Sequence, residues 1–267
     1  MQVQPQSYST AYPSGWPILI CVLGNFRVLK AGRPLVLRNA SKMQSLLANL
    51  AVAPKHLLAR EAVLDAVWPG IELSLATKSL YSLTYQLHKL LGDQLAGAPP
   101  VVQADGFYRL NTEAGVGLDT VWFESLALIG EQQARAGDRS SAVQTYLNAV
   151  ELYQGDLIVS ASAHALIARE FLRSRYLTLL AHLADESFAD GNYLDSLNYA
   201  ARLLSVDPCR EDAYRLIMHC HLRRGERAQS LHQYQLCKHH LAAEYDAIPE
   251  AATTDLFNRI RLAQTAS

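Results

Sequence analysis

Three short segments recur in the second half of the chain: Gly137-Asp138-Arg139-Ser140-Ser141-Ala142, Gly191-Asn192-Tyr193-Leu194-Asp195-Ser196 and Gly225-Glu226-Arg227-Ala228-Gln229-Ser230. The last two begin 34 residues apart, the length of an antiparallel helix pair with its turns. The first two begin 54 apart, one such period plus an excess that an insertion across Gly155 to Ser174 would absorb. In each copy glycine permits a tight turn, and a small residue five positions on (Ala142, Ser196, Ser230) lets paired helices approach. Tyr146, Ala200 and Tyr234 lie nine after the glycines, and Pro208 falls where a helix pair should end. A repeated unit of this kind cannot bury its apolar face alone. The pattern therefore predicts an all-α, tetratricopeptide-like solenoid over residues 116–267. It has about three helix pairs and a closing helix at Asp255 to Leu262 after Pro249.

The first half reads differently. Ile18-Leu19-Ile20-Cys21-Val22, Phe26-Arg27-Val28-Leu29 and Pro34-Leu35-Val36-Leu37 are β-type runs separated by Gly24-Asn25 and Ala31-Gly32-Arg33. They predict a small antiparallel sheet. Ser41 then opens a helix, with Gln44 at capping-box spacing and Met43, Leu46, Leu47 and Leu50 as its apolar face. A second helix runs from about Arg60 to Trp68 and stops at Pro69-Gly70. A third covers Leu75 to Leu91, with Leu80, Leu83, Leu87 and Leu91 as its core stripe, Ser74 as a candidate N-cap and Gly92 as a candidate stop. Val101-Val102-Gln103 and Phe107-Tyr108-Arg109-Leu110 then form a hairpin turning at Asp105-Gly106. Sheet, three helices and hairpin, in that order, predict an α+β winged helix-turn-helix domain over residues 18–115.

The charge of −1 is unevenly placed. Residues 18–115 hold ten Lys/Arg against six Asp/Glu, whereas Val116 onward holds fourteen against nineteen. A basic first half and an acidic second half imply two jobs. Cys21, Cys209, Cys220 and Cys237 show no Cys-x-x-Cys spacing, as expected of reduced thiols in a cytoplasmic protein. No apolar run reaches the ~18 residues of a membrane span. Residues 1–17 lack Lys and Arg and read as a flexible leader rather than a signal peptide.

Opposite its leucine stripe, the third helix carries Lys78, Tyr81, Ser82, Tyr85 and Lys89, with Gln86 and His88 beside them. In a major groove, Lys78 and Lys89 would hold phosphates, while Ser82, Tyr85 and Gln86 would reach base edges. Arg109 in the hairpin would take backbone phosphate or enter the minor groove, and Lys42 at the first helix would add a phosphate contact. A plain solvated helix face is the simpler alternative for this stretch alone.

The segment Leu57 to Gly70, with its Trp68-Pro69 close, resembles the second helix of OmpR/PhoB-type winged helices. The helix ending in Leu87-His88-Lys89-Leu90-Leu91-Gly92 resembles their third, and Gly106-Phe107-Tyr108-Arg109-Leu110 their wing. Gln86 and His88 stand where that family usually carries Arg, and Thr84 where it buries an aliphatic residue. A winged helix followed by such repeats, with His240 to Pro249 at the junction phrase, resembles the bacterial transcriptional activator domain proteins typified by the antibiotic regulatory proteins. That resemblance implies a cytoplasmic activator that binds direct-repeat double-stranded DNA. Its repeats would mediate self-association on DNA or contact with RNA polymerase subunits. The alternative is a protein-interaction scaffold or small-ligand sensor whose winged helix binds DNA weakly or not at all.

No phosphate-loop motif is present, and neither an enzyme activity nor a cofactor is expected. His219-Cys220-His221, His232, Cys237 and His239-His240 fall on one helix pair but match no standard metal-ligand spacing, so no metal is assigned. The many tyrosines of the repeats are read as interhelical packing.

Overall fold

The computed structural model describes residues 15–37, 40–157 and 163–262, so the expected leader lies almost wholly outside the described residues. Backbone contacts group the chain into two compact units, Met1–Gln132 with Asn148–Arg173, and Gln133–Leu147 with Ser174–Ser267.

In the first unit, β1 (Ile18–Cys21) pairs antiparallel with β2 (Arg27–Lys30), and β2 with β3 (Arg33–Pro34). The third strand is shorter than its apolar run suggests: Leu35 still bonds to the Val28 carbonyl, but Val36 is left exposed to solvent. α1 (Ala40–Val52), β4 (Leu57–Ala59), α2 (Arg60–Val67) and α3 (Leu73–Leu91) follow. α1 begins before Ser41, which therefore lies in its first turn and does not cap it. Next come β5 (Val101–Ala104) and β6 (Phe107–Leu110), which make the expected hairpin. Asp105 (φ 50°) and Gly106 (φ 79°) both lie in the left-handed region, as the turn matching strand twist requires.

Two strands were not expected. β4 adds to β6, making the wing three-stranded, and β7 (Val116–Leu118) joins β1 in parallel. Each has only three residues, too few to show a period.

β7 leads into α4 (Asp119–Arg135) through the buried carboxylate of Asp119, which accepts from the Val22 and Leu23 amides at 2.9–3.0 Å. Those amides follow β1, and the Asp119 carboxylate satisfies them from 97 and 96 residues away in the chain. Burial pushes its carboxyl up to about 6, against the lowering effect of these bonds. Gly117 touches Trp16 so closely that a Cβ would stand 2.3 Å from its ring, and Trp16 meets Trp122 edge-on. The residues after α5 (Arg139–Leu152) return to this unit: Gly24 donates to the Asp156 carbonyl, and Leu23 bridges Leu157. Part of the excess between the first two glycine segments is thus this return, and part is the length of α6 (Ala163–Ala189).

The second unit is helical, as the glycine period predicts, with α7 (Tyr193–Val206), α8 (Glu211–Arg223), α9 (Arg227–Tyr245) and α10 (Ala251–Leu262). The closing helix starts earlier than expected, directly after Pro249-Glu250. The three glycine segments make one turn three times over. Gly137, Gly191 and Gly225 are left-handed, with φ of 77–84°. The residue after each donates to a carbonyl five positions back (Asp138 to Gln133, Asn192 to Ser187, Glu226 to His221). That pair of features is the glycine stop that satisfies a helix's last carbonyls. Asp138 and Asn192 then accept from Ser141 and Asp195, so the residue that closes one helix opens the next. Ala142, Ser196 and Ser230 are buried, as their small size requires, and Ser230 donates to the Met218 carbonyl. Tyr146, Tyr176 and Tyr214 are buried as packing residues. No disulfide links the cysteines among the described residues.

Candidate nucleic-acid interface

α3 buries Ala76, Leu80, Leu83, Leu87 and Leu91 along one stripe, the expected four and one more. The opposite side is thereby fixed outward: Lys78, Tyr81, Ser82, Tyr85, Gln86 and Lys89 are exposed, with Tyr85 at 70% and Tyr81 at 48%. Among the described residues neither Lys78 nor Lys89 makes an ion pair. Gln86 donates to the Ser82 hydroxyl at 3.3 Å, so these two already form a polar pair one turn apart.

The ends of α3 are not those the sequence suggested. Glu72 occupies the N-cap, and Ser74 lies inside the first turn, donating to the Glu72 carboxylate. Gly92 is right-handed (φ −63°), and the chain runs on through a 3-10 turn to Ala96, which takes the left-handed conformation instead. Gly92 is needed for space: a Cβ there would stand 2.5 Å from the His88 ring. That ring bonds the Gly97 carbonyl at 2.9 Å. His88 thus holds the turn after α3. Lys30 reaches the Leu90 carbonyl at 2.9 Å and Asp93 at 2.8 Å, placing a cation at the negative end of the helix. The same ammonium lowers the Asp93 carboxyl.

Thr84 is half-buried and returns its hydroxyl to the Leu80 and Tyr81 carbonyls, which makes it tolerable where an aliphatic residue would fit. Arg60 at the start of α2 donates to Thr77 on α3 at 2.8 Å, and its amide donates to the Gly106 carbonyl in the wing turn. Helix pair and wing are thus tied at one residue. Lys42 caps the end of α2 at the Val67 carbonyl and lies over the Trp68 ring. Arg109 pairs with Glu113 at 3.5 Å on the wing. Tyr108 is buried, its hydroxyl pushed up by that burial and by the nearby Tyr81.

The structure therefore brings Lys78, Tyr81, Ser82, Tyr85, Gln86 and Lys89 onto one face, while Lys42, His88 and Arg109 are engaged by protein groups. It adds Phe107, 43% exposed beside the wing turn, which the sequence reading left out. The signal was there: Phe107 follows Asp105-Gly106, and the residue leaving such a turn stands at the tip. Among the described residues no group of three or more His, Cys, Asp or Glu side chains is placed to hold a metal ion, and no helix is long and apolar enough to cross a membrane.

Comparison with known proteins agrees with this architecture. The chain is 25% identical over 246 residues to the regulatory protein AfsR of Streptomyces coelicolor, covering 92% of this chain and 24% of that protein. It thus spans about a quarter of that relative's length. In structure it resembles Mycobacterium tuberculosis EmbR, solved in complex with a low affinity phosphopeptide. The TM-score is 0.71 at 21% identity, covering 93% of this chain and 66% of that one, a likeness of fold. Residues 118–261, from the end of β7 to the last turn of α10, match the bacterial transcriptional activator domain. The resemblance read from the sequence is borne out, and this chain belongs to the bacterial transcriptional activator domain family.

Proposed function

We propose that the protein is a transcriptional regulator, an activator rather than an enzyme. On this reading it binds direct-repeat promoter DNA through α3 and the wing of a winged-helix domain at 18–115. The helical repeats, 116–267, then mediate self-association on DNA or contact with RNA polymerase. The observation that carries the reading is the exposed face of α3, where two unpaired lysines flank a row of hydrogen-bonding and aromatic side chains beside the wing.

Lys78 and Lys89 hold phosphates. Ser82, Tyr85 and Gln86 face base edges, with Tyr81 beside them. Glutamine can pair bidentately with adenine, at about 1–3 kcal/mol of discrimination per good contact. Arg109 reaches the backbone or minor groove on release from the exposed Glu113 carboxylate. Lys42 and His88 support the interface by fixing the ends of α2 and α3. With Gln86 and His88 in place of arginines, fewer counterions are released, so affinity depends more on tandem sites and two protomers.

Binding to a promoter library across a salt series tests this. Lys89→Ala should weaken all sequences alike and lower the salt slope by about one unit. Gln86→Ala should relax preference at one base position. Wild-type protein without salt-dependent DNA binding would leave the scaffold reading in its place.

A further inference from the structure

In the second unit a set of arginines converges on one histidine. Arg215, His219 and Arg223 lie at i, i+4 and i+8 on α8, so they stack along one face, one turn apart. α10 packs beside α8, with Leu256 and Ile260 in a common core cluster with Met218 and Leu222. It carries Arg259 near the same histidine: burial lowers the His219 pKa, and the guanidiniums of Arg259, Arg223 and Arg215 lower it further. Half-buried Phe188 of α6 lies 6.3 Å from the His219 ring.

The pairing of these cations is incomplete. Arg215 donates to Thr253 at 2.8 Å and faces Glu250 at 3.7 Å. Asp212, one turn earlier, is taken by Arg210. Arg223 and Arg259 are exposed and make no ion pair among the described residues. Like charges held together without partners cost free energy, and an anion placed among them recovers it. Guanidinium forks match the two oxygens of a carboxylate.

We propose that this face of α6, α8 and α10 binds a short acidic peptide segment, its carboxylates taken by Arg223, Arg259 and Arg215 and an apolar neighbour resting on Phe188. A nucleic acid fits less well. The chain from Val116 onward has five more acids than bases, and Glu250 and Asp212 close off one end of the cluster, which leaves room for a few anionic groups rather than a long duplex. The proposal stands apart from DNA binding by α3, because its probe contains no DNA.

The test is fluorescence anisotropy of a labelled hexa-aspartate peptide titrated with the full chain, with hexa-asparagine as the neutral control. Hexa-aspartate should bind, more weakly as salt rises, and hexa-asparagine should not. Arg223→Glu with Arg259→Glu should weaken binding ~tenfold or more, and Arg223→Gln with Arg259→Gln by less. The milder pair carries the test if charge reversal disturbs folding. Arg224→Ala, which removes a guanidinium already paired with Glu226, should leave binding unchanged. Absence of hexa-aspartate binding, equal binding of both peptides, or an equal loss in Arg224→Ala would overturn the proposal. So would a loss of affinity for a random DNA duplex that matches the loss for peptide, which would make the face a nucleic-acid surface.

Discussion

The three glycine turns of the helical repeats and the ends of α3 in the winged-helix region are held largely by different means. In the repeats each turn is local: a left-handed glycine and the next residue satisfy the carbonyls behind and, in two of the three copies, an amide ahead. In the first unit the ends of α3 are held by residues from elsewhere as well as by neighbours, Lys30 from β2 and Arg60 from α2, and the end of β1 by Asp119. A helix end closed by its own sequence survives rearrangement around it. One closed from a distance exists only when the whole unit is assembled, so it couples the exposed face of α3, the wing and the sheet into one cooperative body.

Substitutions can break this contrast, and the largest effect belongs to the buried carboxylate at the end of β1. Asp119→Ala strands the Val22 and Leu23 amides and should cost about 3 kcal/mol in urea unfolding. The wild-type carboxyl titrates near 6 in the fold, above its unfolded value of 3.8. The folded state therefore takes up a proton first on acidification. This group's contribution to stability grows as pH falls from 6 towards 4 and is smallest above 6, so the gap between wild type and Asp119→Ala should widen over that interval.

Gly24→Ala comes next. Its φ of +82° is already unfavourable for alanine, and the Cβ would stand 2.8 Å from the Gln154 backbone, so about 2 kcal/mol or more is expected. Gly191→Ala sharpens the comparison, because at nearly the same φ (+77°) its Cβ meets nothing within 4 Å. It should cost only the backbone strain, about 1 kcal/mol. Equal costs at the two glycines would show that the long-range contact at Gly24 contributes nothing. The smallest effect is Lys30→Ala, a partly exposed cation at the end of α3, at about 0.5–1 kcal/mol. It should read out chiefly as faster amide exchange in the last turn of α3.

The same contrast explains what could be read from the sequence. The glycine period was legible because each turn is made by neighbours in the chain, and Leu80, Leu83, Leu87 and Leu91 were legible because a helix repeats. The Asp105-Gly106 turn was legible from the backbone angles it demands. β4 and β7 were not, since three residues adopt strand geometry only where β6 and β1 wait for them. Ser74 and Gly92 had the right residue types for caps and the wrong places, because contacts to Glu72 and His88 moved the boundaries. At the interface the outward face of α3 followed from its stripe. That Lys42 and His88 are turned to carbonyls of Val67 and Gly97 depends on chain segments whose approach no spacing reveals.

The bond from the Arg60 amide to the Gly106 carbonyl joins the helix pair to the wing through backbone atoms alone. Any residue but proline at position 60 can supply that amide. The exposed side chains of α3 and of the wing tip can therefore change one at a time without breaking this bond. The separation of α3 from the wing turn is then set by the length of the connecting loops rather than by those side chains.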